Sequence, residues 1–261
     1  MPGSEDRTAD AELLFDAVRE AGHLAMTLLR QNVRRWSKSD GSQVTEADLR
    51  VDALLAGRLQ AARPAYGWLS EETPDTAARL ACERLWIVDP IDGTQDFIHG
   101  GNDWCIAAAL IEKGRPVIAA VYRPVREEFF SAIAGSGALN NASRISVTDE
   151  ASLAGARIAG NRKSLGPLEG HGIVAETVRA LPLQLRLCFV AAGRLDGAVS
   201  SGNRNDWDLA AGDLIVHEAG GLVSATTGET YIYNRPQPWQ QGLVAAGATR
   251  HAALINALRT P

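Results

Sequence analysis

Residues Trp86–Phe97 read "WIVDPIDGTQDF". The stretch opens as a buried strand, Leu85-Trp86-Ile87-Val88, then meets Asp89 and Asp92, three residues apart, and a Gly-Thr turn. Carboxylates crowded at the end of a hydrophobic strand repel one another and lose hydration unless something positive lies among them. What that positive group is decides how the chain is read.

Outward from this stretch, "LSEET" (Leu69–Thr73) and "DWDLAAG" (Asp206–Gly212) also set carboxylates beside small residues at element ends. Oxygen donors without thiolates or paired histidines suit hard cations, magnesium rather than zinc. Magnesium is commonly held by a few carboxylates together with a substrate phosphate, and two such ions can clamp both oxygens of a phosphoryl displacement. A helix beginning at Gly93-Thr94 would add an anion site from its free N–H groups, with glycine allowing close approach. Each residue also has a plainer role. Asp89 and Asp92 can make Asx-turns, Asp206 an N-cap, Asp208 a first-turn acid, and Glu71 and Glu72 solvated loop charges. Spacing alone leaves both readings open. His99, His171 and His217 read as surface or helix-end residues.

Around these motifs the hydrophobic pattern sketches a layered protein. Leu14, Val18, Ala21, Ala25 and Leu28 form a helical stripe over 11–29. A loop, "KSDGSQ", precedes a second helix over 46–61, with Thr45 as N-cap, Asp48 as its capping-box partner and Pro64 as terminator. Strands are expected at 67–70 and 84–88, a hairpin turning at Lys113-Gly114-Arg115, and a further strand at 128–133. "GSGALNN" and "GNRKSLG" bracket a second half, with strands at 156–159 and 197–200 and helices at 183–192, 207–219 and 249–258. Gly220 or Gly221 is placed to cap the 207–219 helix. Strands and helices mix without strict alternation, which favours an α+β or layered α/β arrangement over a barrel.

The bulk numbers agree with an ordinary globular chain. It has 261 residues, 46% hydrophobic and 22% charged, and a net charge of −5. That balance argues against nucleic acid as the main partner and against an anionic membrane surface; the densest basic run, 34–38, reads as a solvated face. The opening "MPGSEDRTAD" does not look like a secretory leader, and no stretch has the apolar length of a membrane span. Three widely spaced cysteines, Cys82, Cys105 and Cys188, fit neither a disulfide framework nor a zinc site, so a reducing cytoplasm is expected.

Taken together, the motifs resemble the inositol monophosphatase family. That family sits within the magnesium-dependent, lithium-sensitive phosphatases, alongside fructose-1,6-bisphosphatase and the 3'(2'),5'-bisphosphate nucleotidases. Its signature D-P-x-D-G-T-x-x-F stands here as "DPIDGTQDF", and W-D-x-A-A-G followed by E-A-G-G stands as "WDLAAGDLIVHEAGG". "SEE" and "VTEAD" match two further motifs, in the family's order over nearly the whole chain.

The resemblance implies a layered α-β-α-β-α sandwich and a homodimer. Residues 1–147 would carry most of the metal ligands, and 148–261 would complete the site within one compact unit. Glu71, Asp89 and the Ile91 carbonyl would hold a first magnesium ion. Asp89 would be shared with a second, also held by Asp92 and Asp208, and a weaker third would lie near Glu71; lithium would inhibit. Asp48 and Thr94, with Glu71, would form the catalytic set that positions and deprotonates water, while the N–H groups of Gly93 and Thr94 would hold phosphate oxygens. The implied reaction is in-line attack of metal-activated water on a small phosphate monoester, without a phosphoenzyme.

The match departs from the family on the substrate side. Ser201 stands where inositol phosphatases carry a glutamate, Leu181-Pro182-Leu183 replaces a Gly-Thr/Ser-Ala segment, and Gln95-Asp96 replaces Thr-Asn. These differences lean towards a 3'(2'),5'-bisphosphate nucleotidase acting on 3'-phosphoadenosine 5'-phosphate, or a broad-specificity sugar or histidinol phosphatase. Arg204 and Lys163 are the candidate contacts for a second phosphate.

Overall fold

A computed structural model describes residues 4–31, 33–37, 41, 43–177 and 181–259. Helix α1 (Ser4–Leu29) leads through a short hairpin, β1 (Arg35–Ser37) and β2 (Gln43–Thr45), into α2 (Glu46–Ala62). Seven strands then build one sheet: β3 (Gly67–Ser70), β4 (Arg84–Asp92), β5 (Cys105–Glu112), β6 (Arg115–Arg123), β7 (Glu128–Ile133), β8 (Ala138–Asn140) and β9 (Ser143–Ile145). They lie side by side in chain order, β3 parallel to β4 and the others antiparallel. A one-turn helix, α3 (Thr94–Ile98), follows β4.

The second half forms a five-stranded sheet from β10 (Arg157–Gly160), β11 (Val174–Thr177), β12 (Gly197–Asn205), β13 (Gly221–Ser224) and β14 (Trp239–Gly247), in the order β11-β10-β12-β14-β13. Helices α4 (Arg162–Leu165), α5 (Leu183–Ala191), α6 (Ala210–Glu218) and α7 (Ala248–Arg259) complete it.

Side-chain alternation along the strands explains the layering. On the seven-stranded sheet, Trp86, Val88, Ile106, Ala108, Leu110 and Ile118 pack under Leu14, Val18, Val51 and Leu55 of α1 and α2. The intervening residues Leu85, Ile87, Ala107, Ala109, Ala119 and Val121 face the other way, into a core shared with Leu185, Leu187, Leu214 and Ile215 of α5 and α6. Ala198, Leu243 and Ala245 of the second sheet join that same core. The second sheet's outer face, Ile158, Val199, Val244 and Ala246, is covered by Leu254 and Ile255 of α7. The result is the expected α-β-α-β-α sandwich, with α5 and α6 as the middle layer.

Several elements differ from the sequence reading. Helix α1 starts at Ser4, not at residue 11. The 207–219 helix is a single 3₁₀ turn, Asp206–Asp208, followed by α6 from Ala210; Gly220 at φ 89° takes the left-handed position after it. The small strands β8 and β9 lie in and after "GSGALNN", which the sequence offers only as a bracket of the second half. Strand β14 was missed although it pairs with both β12 and β13. Its run "GLVAAG" is buried on both faces, so it lacks the polar alternation that marks a half-exposed strand. The "KSDGSQ" loop falls largely outside the described residues. No described helix is long and apolar enough to cross a membrane.

Candidate active site

The Asp89–Asp92 spacing has a geometric cause. Residues three apart on a regular strand point to opposite faces. Here Asp89 pairs with Ala107 and Asp92 with Cys105, so β4 carries one extra residue against β5. Pro90, which has no N–H to give the ladder, sits in that bulge, where a strand tolerates proline. The extra residue turns Asp92 back to the side of Asp89, towards the middle layer. There Asp92 Oδ2 accepts the Gln184 N–H of α5 at 2.8 Å.

Gly93 then makes the turn into α3. Its φ of 97° lies in the left-handed region, and a Cβ there would stand 2.8 Å from the Asp103 carbonyl oxygen. Both facts exclude a side chain. Thr94 opens the helix, and its hydroxyl is 3.1 Å from both Asp48 Oδ1 and the Ile91 carbonyl, so it donates to one or shares its proton. Asp48 is held in turn at the start of α2, its Oδ2 accepting the Thr45 N–H at 2.8 Å and the Thr45 hydroxyl at 2.6 Å. The capping box read from the sequence is therefore formed, and the same carboxylate reaches Thr94 with its other oxygen.

Glu71 follows β3, its N–H donating to the Val88 carbonyl at 3.3 Å. One turn beyond Asp48 on α2, Asp52 is buried and accepts the Ser70 hydroxyl at 2.5 Å and the Thr73 hydroxyl at 2.6 Å. It thus grips both flanks of Glu71-Glu72. Asp208 closes the site from the 3₁₀ turn, its Oδ2 accepting the Asn205 N–H at 2.9 Å. Gln184 ties that turn to α5, donating to the Trp207 carbonyl and accepting from Gly212 N–H, each at 2.8 Å.

Electrostatically the group is frustrated. Burial pushes Asp89 well above the usual carboxylate range, with Glu71, Asp92, Asp208 and Asp48 adding repulsion. Asp92 is pushed up to about 7 by burial and then by Asp208. Asp208 is also pushed up to about 7, by burial with Glu71 adding to it. Asp48 is raised chiefly by burial, against the hydrogen bonds from Thr45 and Thr94 that lower it. Asp89 Oδ1 is enclosed and has no hydrogen-bond partner among the described residues. Among those residues, no three Asp, Glu, His or Cys side chains form a closed ligand shell. An unsatisfied buried carboxylate oxygen among carboxylates held near neutrality fits a hard divalent cation: such an ion would supply both the missing partner and the missing charge.

Beside these carboxylates opens a cavity of about 520 Å³. It is lined by the carboxylates Asp92, Asp96 and Asp208 with Gly93 and Thr94, by Leu181, Pro182 and Leu183, and by His99, Arg186 and Arg204. The replaced Leu-Pro-Leu segment and Arg204 therefore do face the site. Lys163 is exposed on α4 and does not line the cavity, and Ser201 is tied to Ser164, its N–H donating to Ser164 Oγ at 2.9 Å. Sequence reasoning missed Asp52, Gln184, Arg186 and the cavity position of His99. Only Asp52, four residues after Asp48 on one helix face, left a trace in the spacing.

Comparison with known proteins identifies a family. The chain matches the model of the inositol monophosphatase family over residues 6–260. It is 33% identical over 264 residues to inositol monophosphatase 2 of Solanum lycopersicum, covering 95% of this chain and 97% of that protein. It is 34% identical over 249 residues to the Nus factor SuhB of Pseudomonas aeruginosa, covering 90% and 89%. The crystal structure of the extragenic suppressor protein suhB from Bartonella henselae superposes with a TM-score of 0.82 at 30% identity, covering 95% and 98%. The chain belongs to the inositol monophosphatase family. It is a phosphatase, a hydrolase of phosphate monoesters, and its substrate is a small phosphorylated molecule.

Proposed function

We propose that this phosphatase is magnesium-dependent and lithium-sensitive, works with two to three ions, and hydrolyses a small phosphate ester of the inositol monophosphate kind. The observation that carries the reading is the enclosed Asp89 Oδ1, without a hydrogen-bond partner among the described residues, beside Asp92 and Asp208, which burial and neighbouring carboxylates push up to about 7. Glu71, Asp89, the Ile91 carbonyl, Asp92 and Asp208 would hold the ions, Asp89 being shared. Bound there, magnesium neutralises the site and lowers the pKa of water towards neutrality.

The chain's own residues supply the rest. Thr94 Oγ1 orients the attacking water and passes its proton to Asp48 Oδ1, with Glu71 assisting. A carboxylate raised by burial, as Asp48 is, suits a base working near neutral pH. The N–H groups of Gly93 and Thr94, at the start of α3, hold phosphate oxygens. The Leu181–Leu183 wall excludes water from the leaving-group side. The reading keeps two halves within one compact unit, residues 1–147 carrying most of the metal ligands and 148–261 completing the site. A cytoplasmic homodimer completes the reading, its oligomeric part tested by sedimentation.

The test is phosphate release from inositol 1-phosphate and from 3'-phosphoadenosine 5'-phosphate, with magnesium, with EDTA and with millimolar lithium. Magnesium-dependent, lithium-sensitive turnover of one substrate is expected. Turnover that persists in EDTA would overturn the metal reading. A second reading keeps the chemistry and makes the enzyme a 3'(2'),5'-bisphosphate nucleotidase, or a sugar or histidinol phosphatase; Arg186 and Arg204 in the cavity lining favour it. Because one relative is a Nus factor, a binding role also has a test. An Asp92→Asn variant that loses hydrolysis but keeps the cellular phenotype would favour it.

A further inference from the structure

Two guanidinium-bearing residues, Arg186 from α5 and Arg204 from β12, line the cavity together with Asp92, Asp96 and Asp208. Among the described residues, the hydrogen bonds of Arg204 run to neutral groups. Its Nε donates to Ser200 Oγ at 2.9 Å, Nη1 to the Asn203 carbonyl at 3.2 Å and Nη2 to the Ser201 carbonyl at 3.3 Å. Arg186 is fixed through its Nε, which donates to the Leu181 carbonyl at 2.8 Å. The two are close enough that Arg204 helps depress the pKa of Arg186, after burial as the main cause.

A plainer role for the pair is to offset the carboxylates. The described hydrogen bonds of Arg204, however, run to a hydroxyl and to backbone carbonyls and not to a carboxylate. Two like charges brought together in a partly buried wall repel one another, and an anion held between them relieves that repulsion. Guanidinium forks match phosphate and carboxylate geometry, and the cavity volume of about 520 Å³ is that of a small-ligand site.

We propose that Arg204, with Arg186 beside it, binds a second anionic group on the leaving-group side of the substrate, so that the enzyme selects phosphate esters bearing a further phosphate or carboxylate. This rests on the phosphomonoesterase reading of the same site. The chemistry of the scissile ester is unchanged: the P–O bond breaks, water supplies the new oxygen, and the leaving alcohol keeps its second anion.

The experiment compares matched substrates in magnesium. One pair is adenosine 3',5'-bisphosphate against adenosine 3'-phosphate, and the other is 3-phosphoglycerate against glycerol 3-phosphate. Wild-type kcat/KM is expected to favour the doubly anionic member of at least one pair by about tenfold or more; the pair that responds tells phosphate from carboxylate. Arg204→Gln should bring that ratio towards one, mainly through KM, and Arg204→Lys should restore it only in part. Hydrolysis without preference, or a ratio untouched by Arg204→Gln, overturns the inference and leaves the phosphatase reading standing. No magnesium-dependent release from any of the four overturns both. Should Arg204→Gln fail to fold, Arg186→Gln decides: it should bring the same substrate ratio towards one, and a ratio it leaves untouched sinks the proposal.

Discussion

At the scale of single residues, the site is defined by carboxylates that the fold holds against their own repulsion. Asp92 and Asp208 titrate at about 7 in the folded chain, against an ordinary value near 3.8. A raised acid stabilises the fold while the folded form keeps its proton and the unfolded form has lost none. That contribution is complete below pH 3.8 and is lost as pH rises through 7. The metal-free protein should therefore show a thermal midpoint that falls between pH 5 and pH 8, with added magnesium restoring most of the loss at pH 8. A midpoint that is flat, or rises, across that range in EDTA would contradict the burial argument. Asp52 makes a second prediction, because it touches neither substrate nor reacting atoms but fixes the loop that carries Glu71. Asp52→Ala should raise the magnesium concentration needed for half-maximal activity by about 10–100-fold, with a smaller change in kcat at saturating magnesium. An unchanged magnesium requirement would reduce it to a loop anchor without bearing on the site.

At the scale of elements, the bulge in β4 and the close approach of α5 to α6 do most of the positioning. Gly212 has no room for a side chain: a Cβ would stand 2.6 Å from Leu187 Cβ and 2.9 Å from Gln184 Oε1. Gly212→Ala should cost about 1–3 kcal/mol through overpacking, read as a lower thermal midpoint. It should also weaken magnesium activation, because Gln184 links α5 to the Asp208 turn. The glycine of "DLAAG" thus has a packing reason that its spacing does not reveal. In "DPIDGT", by contrast, much was legible: a strand ending in acids, a proline, and a glycine before a helix start. What could not be read was that the proline sits in a bulge, because a bulge exists only relative to the partner strand. Strand β14 stayed hidden for a related reason, since its two buried faces erase the alternation that marks strands.

At the scale of the whole molecule, α5 and α6 serve both sheets at once, so neither half has a core of its own on its inner face. Unfolding should therefore be one cooperative event. Far-UV circular dichroism and tryptophan fluorescence should give coincident denaturant transitions, and residues 1–147 expressed alone should bind hydrophobic dyes or aggregate. Two separated transitions would show that the halves fold independently. The sequence by itself determined the layered class, the family and the identity of the acidic residues, because those depend on residue types, local turns and the order of motifs. Only the tertiary structure decided which acids share one face, that Asp52 and Gln184 brace them, and that Arg204 faces the cavity while Lys163 does not. The reason is physical: local chemistry is written in neighbouring residues, whereas repulsion, burial and the shape of a cavity arise between segments that meet only when the sheets close over the middle helices.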